Sequence, residues 1–62
     1  LNSRDVHVRL LVPFTRGDVV SRVHAEGTVL GEEYTGEGTL VDVRLPASIA
    51  HELAEYVAEE VS

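Results

Sequence analysis

With 62 residues, 44% of them hydrophobic, and no cysteine, the chain can build one thin core, with neither disulfides nor a thiolate zinc site to reinforce it. A net charge of −6 argues against a nucleic-acid platform spread over the whole domain, yet leaves room for a local basic patch or for an acidic surface that meets a basic protein. Phe14, Tyr34 and Tyr56 are the only aromatic residues, too few to wall a deep ligand pocket, and no apolar run approaches the ~18 residues of a membrane span.

Residues 1–5 lack periodicity and read as a tail or linker before a single accessory domain over residues 6–62. A chain that begins on Leu1 rather than Met reads as a fragment of a larger protein. From Val6 the pattern alternates, with Val6, Val8, Leu10 and Val12 on one face and His7, Arg9 and Leu11 on the other. Period two in a β-branched stretch predicts a half-buried strand, ended by Pro13.

Helix signals follow. Thr15 with Asp18 has the spacing of a capping box, and Phe14 with Val19 that of a hydrophobic staple. Val19, Val20 and Val23 form an apolar stripe, and Gly27 suits a left-handed stop, so the spacing predicts a helix over 16–26. Residues 28–35 form a weaker strand, with Leu30 and Tyr34 on one face and Val29 on the other. Gly36-Glu37-Gly38 predicts a tight hairpin with glycines at positive φ. Residues 39–45 are a strong strand, with Val41, Val43 and Leu45 facing the core and Leu40, Asp42 and Arg44 facing away. After Pro46, Ile49, Leu53, Tyr56 and Val57 predict a helix over 47–59, whose last turn is weakened by Glu59 and Glu60 at the negative end of its dipole.

The order βαββα is α+β. A right-handed crossover makes the first two strands parallel, and the hairpin makes the third antiparallel to the second. Placing the third strand centrally gives a three-stranded sheet of order 1-3-2, with both helices on one face, a ferredoxin-like half lacking its last strand. The other face, carrying His7, Arg9, Leu11, Leu40, Asp42 and Arg44, has nothing in the chain to cover it and is the candidate interface. Arg9 and Arg44 flanking Asp42 would also serve as an ordinary cross-strand charge cluster, whereas Leu11 and Leu40 favour an interface.

Catalytic patterns fail on inspection. Gly31-Glu-Glu-Tyr-Thr-Gly36 has P-loop spacing, but Glu37-Gly38 stands where Lys and Ser or Thr belong, and the carboxylates would repel phosphate. His51 and Glu55 are four apart on the second predicted helix, but three or four convergent ligands are needed for a metal, and His7 and His24 lie on other elements. His24, at the edge of the first helix's stripe, reads as a boundary residue covering the core. Ser21, Ser48 and Thr15 have no nucleophile elbow. Glu32 and Glu33, adjacent on a strand, point to opposite faces and form no carboxylate dyad. The expectation is no catalytic, cofactor or metal site in this chain.

Four stretches taken together carry a resemblance: Leu11-Val-Pro-Phe14; Arg16-Gly-Asp-Val-Val-Ser-Arg-Val-His-Ala-Glu-Gly27; Glu32-Glu-Tyr-Thr-Gly-Glu-Gly-Thr39; and Val43-Arg-Leu-Pro46. In this order, over residues 6 to 57, the chain resembles the C-terminal domain of HflX-type GTPases, with Phe14 at a position where that family suggests Tyr. The resemblance implies a cytoplasmic parent that binds and hydrolyses GTP, associates with the large ribosomal subunit and helps dissociate stalled ribosomes. GTP and Mg²⁺ would then belong to a G domain outside this chain, and no catalytic residue carries over. The implied role is docking against the parent's own G domain, the ribosome or both, with no membrane partner and with direct RNA contact left open. The alternative is a small-molecule regulatory module acting as a homodimer of βαββα units.

Overall fold

Alternation decides the first element of the structure, a computed structural model that describes residues 5–61. Strand β1 (Asp5–Val12) buries Val8, Leu10 and Val12 and leaves His7 and Leu11 half-buried and Arg9 exposed on its other side. The tail expected over residues 1–5 lies outside the described residues except for Asp5, which already belongs to β1 and pairs with Pro46. Helix α1 (Gly17–Glu26) buries Val19 and Val23, strand β2 (Thr28–Tyr34) follows, and strand β3 (Thr39–Pro46) buries every second side chain from Thr39 to Leu45.

The second half corrects the expectation. Helix α2 (Ala47–Glu52) gives way to one 3₁₀ turn at Ala54–Tyr56 and then to a fourth strand, β4 (Val57–Glu60). The sheet therefore has four strands rather than three, in the order β2-β3-β1-β4, with every neighbouring pair antiparallel. The last strand of the βαββαβ arrangement is present. Two physical reasons favour it over a longer helix. Glu59 and Glu60 oppose a helix dipole at its C-terminus. The outer edge of β1 also offers backbone groups that need partners. Strand β4 supplies them through Val8↔Glu60, Arg9↔Glu59 and Leu10↔Val57, and the Val61 amide adds a bond to the His7 carbonyl (2.8 Å).

Both helices lie over one face, because Val19 and Val23 from α1 and Leu53 after α2 share a single core with Val8, Leu10, Val12, Val41, Val43 and Leu45. Ile49, Tyr56 and Val57 pack against that core, so the apolar spacing that suggested one long helix marks inward-facing positions on three successive elements. Strand β2 carries a bulge with Leu30 as the extra residue between Val29 and Gly31. The bulge shifts the alternation, so Tyr34, opposite Thr39, shares a face with Val29, opposite Val43, and not with Leu30.

Local signals at the ends of α1 are also reassigned. Arg16 occupies the N-cap without a side-chain cap bond, so the Thr15–Asp18 capping box is not formed. Asp18 instead accepts from Arg16 Nε (3.2 Å) and Nη2 (3.3 Å). Phe14 stays outside the core, so it makes no staple of the expected kind. Among the described residues no glycine has positive φ. The turn after β2 is held by Thr35, whose hydroxyl donates to the Gly38 carbonyl (3.0 Å) and accepts from the Glu37 and Gly38 amides (3.1 Å each).

Gly27 has extended backbone (φ −132°, ψ −176°) rather than a left-handed stop. Its requirement for glycine is spatial: a Cβ there would lie 2.5 Å from Leu45 Cδ2 and 2.7 Å from the Arg44 carbonyl oxygen. The Leu45 side chain can yield, but the backbone carbonyl cannot. Gly27→Ala is therefore expected to destabilise the fold by about 2 kcal/mol, measured as the change in unfolding free energy in urea. A change within about 0.5 kcal/mol, the range of an ordinary surface substitution, would contradict the contact.

Candidate docking face

Pairing of β1 with β3 brings the six predicted face residues together: His7↔Arg44, Arg9↔Asp42 and Leu11↔Leu40. Odd positions of β1 and even positions of β3 share this surface because both helices take the opposite one. Strand β2 adds Thr28, Gly31 and Glu33, opposite Arg44, Asp42 and Leu40, and β4 adds Glu59, opposite Arg9. Glu59 was not legible as a member, because the sequence pattern assigns it to a helix.

Side-chain chemistry on the face differs from the expected cluster of Arg9 and Arg44 around Asp42. Asp42 Oδ1 accepts from His7 Nε2, diagonally across the β1–β3 pair. Arg9 turns outward, and its Nη1 donates to Glu59 Oε1 (3.3 Å). Arg44 is exposed and makes no ion pair with another described residue. The face thus has an apolar end at Leu11 and Leu40, both half-buried, and a polar end with one uncompensated guanidinium. A shallow depression of about 250 Å³ runs between them, beside Gly31, Glu33 and Asp42.

The helical side is already engaged in internal contacts. Arg22 spans the two helices, its Nε donating to Glu26 Oε2 (2.8 Å) and its Nη2 to Glu52 Oε1 (2.7 Å). The Glu26 bond first and the Glu52 bond second hold the guanidinium above its usual pKa. His24, exposed and not a cover for the core, contacts Glu32 of β2. The Arg16 guanidinium sits 6.0 Å above the Tyr56 ring. Arg16 also lowers the Asp18 pKa, chiefly through their hydrogen bond. The stabilisation is thus present at neutral pH and lost as pH falls through the lowered value; solvent exposure of both side chains and salt screening keep it small.

Ending α2 at Glu52 separates His51 from Glu55, which lies in the 3₁₀ turn. Among the described residues no three His, Asp or Glu side chains gather as a metal cluster would, and no helix is long and apolar enough to cross a membrane. A solvent-open groove of about 420 Å³ lies between α2 and the β1–β4 edge, lined by Val6, Val8, Ala50, Ala54 and Val57 with His51 and Glu60 among its polar neighbours. The thin core does leave a groove of ligand size, although it is open rather than deep.

No family model matches the chain. Over 59 residues, 95% of its length, the chain is 41% identical to the GTPase HflX of Akkermansia muciniphila. The matched stretch makes up 14% of that relative, so the chain corresponds to a small part of a much longer protein. Identity at this level along nearly the whole chain is consistent with an HflX-type domain.

Proposed function

We propose that this chain is the C-terminal accessory domain of an HflX-like GTP-binding protein and that it docks rather than catalyses. The parent would associate with the large ribosomal subunit in the cytoplasm and help dissociate stalled ribosomes, with its own G domain and the ribosome as this domain's partners. The observation that supports docking most directly is the uncovered sheet face. It presents Leu11 beside Leu40 and leaves Arg44 exposed, while both helices pack on the opposite face. A solvated sheet face has no need of two neighbouring leucines.

GTP and Mg²⁺ do not fit the residues present here. The stretch with P-loop spacing is strand and hairpin, it carries Glu32, Glu33 and Glu37, and its hydroxyl, Thr35, already holds the turn. Nucleotide chemistry is assigned to the rest of the parent. A second reading, a regulatory module that binds a small apolar ligand as a homodimer, is favoured by the groove beside Val6 and Val57. Sedimentation distinguishes the two, since a tight dimer would support the regulator.

Ribosome cosedimentation of the parent with and without residues 6–62 tests the docking role, and unchanged binding and splitting after deletion would end it. Within the intact parent, Arg44→Glu is expected to weaken cosedimentation on the order of fivefold, the equivalent of about 1 kcal/mol for one reversed rim charge. Wild-type affinity in that variant would redirect the contact to the acidic helical side.

A further inference from the structure

Two of the three aromatic side chains stand outside the core. Phe14 is 59% exposed and Tyr34 75%. They belong to different elements but lie at the same end of the sheet. Thr39 has Val12 on one side and Tyr34 on the other, and Phe14 follows Val12 by two residues. Gly38 closes the gap between the two turns, with its Cα so near Val12 and Pro13 that a Cβ would meet the Val12 carbonyl oxygen at 2.3 Å.

Both aromatics sit beside fixed backbone. The Arg16 amide donates to the Pro13 carbonyl (2.9 Å), closing a turn around Phe14, and the Thr35 hydroxyl fastens the turn next to Tyr34. Aromatic anchors on fixed turns lose little freedom on binding and fill pockets with large apolar area. Stacking on nucleic acid would require cations nearby. Here the cation next to Phe14, Arg16, is already engaged by Asp18 and lies over Tyr56, Glu33 faces the other side of the sheet, and Glu37 lies in the hairpin. The partner that suits this end is a protein surface with apolar pockets that take the two rings.

We propose that the Phe14–Tyr34 end is where this domain docks on the remainder of its own HflX-type chain, an inference that rests on the reading above. The matched stretch is only 14% of the relative's length, so in such a protein the domain is tethered to a far longer segment. A tether supplies an effective concentration of about millimolar, at which a small contact with two aromatic anchors suffices. The sheet face with Arg44 then stays free for a second partner.

The test uses the full parent protein, wild type and Phe14→Glu/Tyr34→Glu, with small-angle scattering, tryptic cleavage between the domain and the rest, and hydrogen exchange. The wild type is expected to scatter as one compact particle. The double variant is expected to gain maximum dimension and to be cleaved about tenfold faster. Should the glutamates disturb folding, Phe14→Ser/Tyr34→Ser, with a far-ultraviolet melt as control, makes the same comparison. Unchanged scattering and cleavage in a folded variant overturn the inference, as does a mass showing that the aromatic end joins two copies. If exchange in the wild-type parent protects the Arg44 face against the rest of the chain, this inference fails while docking stands. If no face of the domain is protected in the parent, alone or with ribosomes, the docking role fails too.

Discussion

Gly38→Ala is expected to destabilise the domain by about 3 kcal/mol, the upper range for forcing atoms into a filled site. The added Cβ would lie 2.3 Å from the Val12 carbonyl oxygen and 2.9 Å from its carbonyl carbon. Both atoms are backbone of β1, which is paired with β3 on one side and β4 on the other. No rotamer change relieves that overlap, so the hairpin must separate from the end of β1. A domain of this size is typically stable by about 3–9 kcal/mol, so the variant is expected to lose about a third or more of its stability and to melt at a markedly lower temperature. Gly36→Ala provides the contrast, since nothing lies within 4 Å of its Cβ position and its φ is not positive. It is expected to be neutral or stabilising by about 0.5 kcal/mol through the unfolded chain. Urea titrations of both variants followed by circular dichroism decide the matter: equal midpoints would show that the approach of Gly38 to β1 is not tight.

Leu10→Ala is expected to cost about 3 kcal/mol, within the usual range for emptying a buried leucine site. Leu10 is fully buried on β1, between Val41 of β3 and Val57 of β4. Its cavity would therefore sit in the middle of the sheet, where neighbours on both sides are held by backbone pairing and cannot collapse inward. Leu11→Ala, one residue along, removes the same atoms from the opposite face, where Leu11 is only half-buried. It is expected to cost under about 1 kcal/mol in the isolated domain. The same Leu11 variant in the parent should weaken docking if the face is an interface. A Leu11→Ala penalty in the isolated domain as large as that of Leu10→Ala would mean that something intramolecular covers the open face.

Much of this molecule can be read locally. Alternation along β1 and β3 sorts their side chains between the two faces, because successive residues of a strand point opposite ways whatever lies around them. That property puts His7, Arg9 and Leu11 on the outward side of β1 and Leu40, Asp42 and Arg44 on the outward side of β3, and the pairing of the two strands joins them into one surface. The apolar stripe of α1 is equally local, since Val19 and Val23 fall four residues apart on one helical face.

Other features depend on partners distant in sequence. The apolar spacing from Ile49 to Val57 fits a helix, and the strand at its end exists because the edge of β1, some fifty residues earlier, has backbone groups to pair. Glu59 and Glu60 did signal against a helix end, but only the neighbouring Arg9 shows where Glu59 goes. Asp42 is paired by His7 rather than by the arginines because side-chain reach across two strands, not sequence order, selects among neighbours within a few ångströms. Gly27 and Gly38 look like glycines required for turns, yet each is required because another strand passes too close for a side chain. Sequence by itself determined which residues of β1, β3 and α1 face inward, since in an unbroken strand or helix side-chain direction is a property of the segment, whereas the bulge in β2 reset its alternation. Only the tertiary structure decided the fourth strand, the ion pairs and the tight glycines, because each of these is set by contacts between segments far apart along the chain.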